Sequence, residues 1–410
     1  MAGDEVIHVE RHREEVFIIM LQARTSDHVF VTLAHLTTAE IDVHREQSLF
    51  YCPICHEPVM IKAGIKVIPH FAHHAKTNCP SYQGGEGPYH ERGKLLLYEW
   101  LKAQQINVQL EVYLKEIQQQ PDLLLTINNR HIALEFQSSR IPVSVIKQRN
   151  IGYEKANIIP IWLLGANQFE RQGEYHLKVN RFTLQFMQQF SLSSPLMLFY
   201  FCPLLRELVT FQDVYLTNQR LAMGRYQFHP LDHTSFTDIF KEKRLRKPAL
   251  FQLWKEEKRN MRLRPRQHIS RMEWSWHQWL YRKRTHFEHL SSLIHLPVRA
   301  QYRMKSPPWN WQSRICLDVI DPLPIGSHFS LKECERTVEQ DLYSIYHYPL
   351  IRTNENPIRQ YLQLLQQLNF IIQTSPDQFR KVKPLESYEH IEQSIRADVQ
   401  VMDELIIRQS

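Results

Sequence analysis

The sequence predicts an α/β protein: a mixed sheet with helices packed against it over about residues 87–168, a small N-terminal β module, and a largely helical C-terminal region. Three observations predict it. Across residues 88–165 the hydrophobic period switches in the order helix, strand, strand, strand, helix, strand. Ahead of that stretch, three of the six cysteines, Cys52, Cys55 and Cys79, crowd into one short segment beside several histidines. Behind it, residues 241–305 carry 18 Lys or Arg against 5 Asp or Glu, so the net charge of +7 sits in one region and the remainder is net negative.

At 410 residues the chain exceeds one ordinary core. The expected divisions are a β-hairpin region at 1–50, a metal-binding module at 51–86, the mixed-sheet core at 87–168, a linker or extension at 169–240, and a basic, mainly helical region at 241–410. A hydrophobic share of 43% with 11% aromatics describes a globular chain. No apolar run approaches the roughly 18 residues that a membrane span needs. Residues 1–15 are studded with charge where a signal segment would be apolar, so the expected location is cytoplasmic.

Residues 16–35 alternate apolar and polar side chains, which reads as a short hairpin. Gly84, Gly85, Gly87 and Pro88 break the chain before the core, and Pro88 suits the first turn of a helix. That helix runs to about Ala103 and sets His90, Lys94 and Leu101 on neighbouring turns of one side. A strand is predicted over 108–114, with Val108, Leu110, Val112 and Leu114 on one face and Glu111 and Tyr113 on the other. The next strand starts at Pro121-Asp122, and Asn128-Asn129 reads as the following turn. The third strand puts Leu134 and Phe136 on one face, Glu135 and Gln137 on the other. A helix from about Pro142 brings Arg149 and Tyr153 together at i, i+4, and 158–164 is a continuous apolar run, like a strand buried on both faces. Farther on, 241–290 reads as helical, and 356–407 has helical periodicity interrupted near 374–383.

Cys52-Pro-Ile-Cys55 has the spacing that lets two thiolates grip one zinc ion. His73 with Cys79 is the favoured pair to close the tetrahedron, with His70 or His74 as substitutes. Four protein ligands leave no open position, so such a zinc is structural. A redox dithiol would need a thioredoxin-like strand-helix context, which Cys52 lacks.

Asp122 and Glu135 sit near the ends of two strands joined by a tight turn, so both carboxylates can approach one point. Such a pair suits Mg2+ or Mn2+, which takes oxygen ligands and keeps several waters. The ion lowers the pKa of a bound water and offsets charge developing on phosphorus. Gln137, on the face of Glu135, would orient that water or contact the phosphate; on a solvated strand the same residues are plain surface groups.

Pro121-Asp122, twelve intervening residues and Glu135-x-Gln137 resemble the PD-(D/E)xK motif, in the element order of that restriction-endonuclease-like superfamily. The wider pattern of Cys52-Pro-x-Cys55, His70-Phe-Ala-His73, His90 with Lys94, Glu135-Phe-Gln137 and Arg149 with Tyr153 resembles the competence protein CoiA family over about residues 16–170. The resemblance implies a metal-dependent deoxyribonuclease acting on single-stranded or branched recombination DNA during transformation, with a recombinase or single-strand-binding protein as partner. Gln137 stands where the superfamily's common third residue is Lys, so Lys94 is expected to supply the positive charge, with Glu111 and His90 joining the metal site. Arg149 and Tyr153 resemble the Gln-x-x-x-Tyr motif of recombination exonucleases, with Arg in place of Gln, and would hold the DNA backbone. The missing Lys keeps a second expectation open, a non-catalytic DNA-binding or recombinase-loading accessory protein on the same fold.

In the basic region, Arg262, Arg264 and Arg266 with their neighbours are expected to neutralise phosphates. Trp274, Trp276 and Trp279 are expected to stack on unpaired bases. The plainer expectation is a solvated charged face beside core tryptophans.

Overall fold

In the computed structural model the chain divides into two units, residues 1–165 with 201–207, and residues 166–200 with 208–410. The residues described are 19–64, 67–74, 79, 87–263 and 269–408.

The first unit opens with six short strands: β1 (Ile19–Met20), β2 (Gln22–Thr25), β3 (Phe30–Thr32), β4 (Phe50–Tyr51), β5 (Pro58–Gly64) and β6 (Val67–His73). They form an antiparallel sheet in the order β1-β6-β5-β4-β2-β3. The expected hairpin is β2–β3, and its first residues, 16–18, lie outside the described residues. Helix α1 (Thr38–Gln47) breaks the expected all-β start: Thr37 and Glu40 exchange hydrogen bonds in a capping box that fixes its first turn. Leu33, Ile41, Phe50 and Phe71 pack into a core that also takes Cys52 and Cys79.

Next come α2 (Pro88–Ala103), β7 (Asn107–Leu110), β8 (Leu123–Ile127), β9 (Arg130–Gln137), α3 (Val143–Lys155) and β10 (Ile158–Gly165). Gly84 and Gly85 lie outside the described residues, while Gly87 caps α2 and Pro88 occupies its first turn. β7, β8 and β9 pair antiparallel and β9 pairs parallel with β10, so the sheet is mixed and α3 is the crossover. Asn128 and Asn129 both take left-handed backbone, φ 49° and 60°, as a two-residue hairpin with right-handed strand twist requires. The strand expected over 108–114 stops at Leu110, because Glu111 takes φ 51°, which a pleated strand does not tolerate.

The second unit holds β11 (Glu170–Gln172), β12 (His176–Lys178), β13 (Met197–Cys202), β14 (Glu207–Leu216) and β15 (Leu221–Pro230), in the order β11-β12-β15-β14-β13. Residues 169–240, expected as a linker or extension, hold these five strands. Its helices are α4 (Lys247–Leu263), α5 (Arg271–Arg282), α6 (Pro308–Arg314), α7 (Leu331–Thr337), α8 (Pro357–Gln367) and α9 (Ile391–Ile407). A three-stranded sheet interrupts them, β16 (His328–Ser330), β17 (Ile371–Ser375) and β18 (Gln378–Lys381), and the β17–β18 hairpin falls where the helical period lapses. No helix among the described residues is long and apolar enough to cross a membrane.

Arg262 does not offer its charge to phosphates. It is buried, with Nη2 donating to Asp398 Oδ1 at 2.9 Å and to the Leu290 carbonyl at 3.0 Å, and Nη1 donating to the Glu288 carbonyl at 2.9 Å. Lys258, one turn earlier and also buried, lies 3.1 Å from Asp398 and donates to the Ser292 carbonyl at 2.9 Å. Both cations continue the core-facing stripe of Phe251, Trp254 and Met261 on α4. Burial lowers the Lys258 pKa to about 8, with Asp398 opposing the shift and Arg262 adding to it. Trp276 and Trp279 are buried as well and cannot stack on bases. Arg264 and Arg266 lie outside the described residues. Removing the Asp398 charge leaves two buried cations unbalanced, so Asp398→Asn is expected to lower the free energy of unfolding by about 3–5 kcal/mol. Urea titration followed by circular dichroism measures it, and an unchanged midpoint would refute the pairing.

Candidate active site and metal centre

Alternation along β9 sends Phe136 toward α2 and Glu135 toward α3. A Cβ at position 93 would lie 2.1 Å from the Phe136 ring, so Gly93 lets α2 approach β9 closely enough to bring its polar residues onto the strand ends. The His90 ring stacks on Phe136 at 5.4 Å between centroids.

Two groups of side chains result. On the α2 side, Lys94 Nζ lies 2.5 Å from Glu111 Oε1 and 3.0 Å from Glu91 Oε1, with Lys94 and Glu91 buried and Glu111 half-buried. His90 Nε2 lies 3.4 Å from Asp122 Oδ1, and its Nδ1 lies 3.4 Å from the Ser138 hydroxyl. The other Asp122 oxygen accepts the Phe136 N–H at 2.7 Å, tying the head of β8 to β9. Glu111 Oε2 accepts the Leu21 N–H at 3.1 Å. On the α3 side, Glu135 Oε1 accepts from Arg149 Nη2 at 2.5 Å and from the Tyr153 hydroxyl. Arg149 also donates to the Gln120 carbonyl at 2.8 Å.

Electrostatics joins the two groups. Burial opposes the charge on Asp122, but His90, Lys94 and Arg149 outweigh it and hold the carboxyl well below its usual range. Burial likewise opposes the Arg149 charge, and Glu135, Tyr153 and Asp122 reverse that effect and raise its pKa. For Tyr153, burial and the Glu135 charge both raise the pKa, so the phenol stays protonated and donates.

Among the described residues Glu111, Asp122 and Glu135 do not gather as one three-carboxylate metal group. Gln137 is drawn aside: its amide donates to the Ser139 carbonyl at 2.8 Å and to the Ser139 hydroxyl at 3.3 Å. Glu91 was absent from the expected site, although its i, i+3 position relative to Lys94 is a legible signal.

The N-terminal cluster is tighter. The ligand atoms of Cys52, Cys55, His73 and Cys79 lie within 4.8 Å of one another, and this group could bind a metal such as zinc. Cys52 and Cys79 sulfurs are 3.9 Å apart, and Cys55 Sγ is 3.2 Å from His73 Nε2. His70 is outside the group, its Nδ1 lying 2.8 Å from the Ile68 carbonyl. Strand alternation explains the choice, since His73 shares a face of β6 with the buried Phe71 and His70 does not. Burial pushes the Cys52 thiol up to about 12; the backbone at Cys55 and Ile54 opposes this, and the sulfurs of Cys79 and Cys55 add to it. Burial also raises Cys55 and lowers His73. A cation among them is what would turn these thiols into thiolates.

The mixed-sheet core is nuclease-like: residues 86–244 match the family model described as "Competence protein CoiA, nuclease-like domain". Residues 33–82 match the N-terminal domain of competence protein CoiA and residues 251–395 its C-terminal domain. The chain belongs to the competence protein CoiA family. It is 25% identical over 371 residues to competence protein CoiA of Bacillus subtilis (strain 168), covering 89% of this chain and 98% of that protein. No solved structure matches the chain.

Because Gly93 meets Phe136 so closely, Gly93→Ala is expected to cost about 1–3 kcal/mol through overpacking. Phe136→Leu in the same chain should return part of that loss. Denaturant unfolding of the single and double variants reads this out, and wild-type stability in Gly93→Ala would contradict the contact.

Proposed function

We propose that the chain cleaves phosphodiester bonds in DNA during competence, with a Mg2+ or Mn2+ ion held by Asp122 and Glu135. The observation that carries this reading is charge. Glu91, Glu111, Asp122 and Glu135 stand against Lys94 and Arg149, an excess of two negative charges among these side chains when His90 is neutral and of one when it is protonated. A divalent cation balances such an excess, and Mg2+ characteristically needs only one or two carboxylates, its other positions going to water and phosphate. When bound there, the ion would supply an acidified water and offset charge on the phosphate.

The chain's own residues have separate tasks in this scheme. Lys94 holds Glu111 and keeps positive charge beside the strand ends, the part that Lys plays in the superfamily's usual motif. His90 orients Asp122, and Tyr153 fixes Glu135 by donating to it. Arg149 is the group suited to exchange Glu135 for a phosphate oxygen, since its guanidinium recognises either anion. The Gln137 amide nitrogen is engaged by Ser139, so orienting a water would fall to its carbonyl oxygen. Single-stranded or branched DNA is the proposed substrate, the cytoplasm the site of action, and a recombinase or single-strand-binding protein the partner. Cys52, Cys55, His73 and Cys79 are proposed to hold a structural zinc. A second reading, a non-catalytic accessory protein, draws its support from the engagement of Gln137 with Ser139.

Labelled single-stranded, duplex and branched DNA incubated with purified protein, with and without Mg2+ or Mn2+, tests the main reading. Metal-dependent cleavage is expected, reduced at least about a hundredfold in Asp122→Asn and in Glu135→Gln. Absence of cleavage on every substrate with DNA binding retained would favour the accessory reading. For the metal centre, elemental analysis of Cys52→Ser is expected to give a lower zinc content than wild type, and equal content would remove Cys52 from the ligand set.

A further inference from the structure

Helix α5 buries Trp276, Trp279 and Leu280 but leaves Trp274 58% and Tyr281 79% exposed. Seven residues apart, these two rings sit on one helix face at about 10.5 Å of rise. Apolar side chains exposed singly are ordinary, whereas two rings on one helix face make a stripe. Cations surround them. Arg271 opens the helix, Arg282 ends it, and Arg284 follows in left-handed backbone at φ 55°, all three exposed. Among the described residues none of these three guanidinium groups forms an ion pair, whereas the intervening Lys283 is 2.6 Å from Asp318. Tyr281, Arg282, Arg284 and His286 are among the residues that line a cavity of about 530 Å3 at the helix end.

We propose that this face of α5 is a binding platform for single-stranded DNA, with Trp274 and Tyr281 stacking on bases and Arg271, Arg282 and Arg284 neutralising phosphates. The combination of exposed rings and unengaged guanidinium groups matches the two ways in which single strands are held without sequence preference. Duplex DNA offers the same phosphates, but its base faces are already stacked, so the aromatic pair selects the single strand. The proposal deepens the DNA-processing reading by assigning the strand to a surface remote in sequence from Asp122 and Glu135, and it displaces Arg262 from that role.

Fluorescence anisotropy with a labelled oligothymidylate about 15 nucleotides long, using the full chain without added divalent cation, tests it. The double variant Trp274→Ala/Tyr281→Ala is expected to bind at least about thirtyfold more weakly, with an unchanged slope of log affinity against log salt. Arg282→Ala/Arg284→Ala is expected to flatten that slope by about 1.4, two phosphates at about 0.7 each. Trp274→Phe/Tyr281→Phe, which keeps an aromatic ring at each position, should retain most of the wild-type affinity, and thermal unfolding of each variant checks that the fold is intact. Wild-type affinity in the Ala double variant, or an equal loss of duplex binding, would overturn the proposal. Because no cleavage is read, this result stands apart from the test of Asp122 and Glu135.

Discussion

Carboxylates withdrawn from water around the ends of β8 and β9 constrain the rest of the first unit. A buried carboxylate costs several kcal/mol unless a cation or hydrogen-bond donor meets it. Here Lys94 meets Glu91 and Glu111, His90 meets Asp122, and Arg149 with Tyr153 meets Glu135. Those partners come from two helices on opposite faces of β9, so both helices must sit at a fixed height along the strand. Gly93 sets the height of α2, and the Asn128-Asn129 turn fixes the register between β8 and β9. The Phe136 N–H to Asp122 bond then joins the acid of one strand to the backbone of the next. Charge is balanced on the α3 side, where Glu135 meets Arg149, and the excess of negative charge lies on the α2 side, among Glu91, Glu111 and Asp122.

Much of this was legible in the sequence because its determinants are local. Pro88 after glycine, the 3.6-residue spacing of His90 and Lys94, the paired asparagines and the apolar run of 158–164 each act within a few residues of themselves. The knuckle Cys52-Pro-Ile-Cys55 is local in the same sense, and β alternation decides between His70 and His73 once β6 is placed. The end of β7 was not legible, since nothing in Val108–Leu114 announces that Glu111 takes positive φ. The diversion of Gln137 to Ser139 was equally hidden, because a Glu-x-Gln pattern says which face a side chain takes and not what it bonds to.

The second unit shows where composition misleads. A count of charges over residues 241–305 gives a basic region but no direction for any one side chain. Arg262 and Lys258 point into the core because Asp398 waits there, 136 residues away from Arg262 in the chain. Trp276 and Trp279 are core residues, while Trp274, two positions earlier on the same helix, is exposed. Periodicity carries the distinction, but only once the phase of α5 is known. The stretch 169–240 went unrecognised for a related reason: strands buried on both faces, such as Met197–Cys202, lose the alternation that marks a half-exposed strand.

Asp122 and Glu135 are proposed to hold one divalent cation, with His90 facing Asp122 and Arg149 facing Glu135 in its absence. Mn2+ titration followed by electron paramagnetic resonance, on protein already loaded at the Cys52 centre, addresses it directly and does not depend on turnover. Wild type is expected to take up Mn2+ with a bound signal that is lost in Asp122→Asn/Glu135→Gln, while that variant keeps its fold. Mn2+ uptake identical in wild type and the double variant would contradict it.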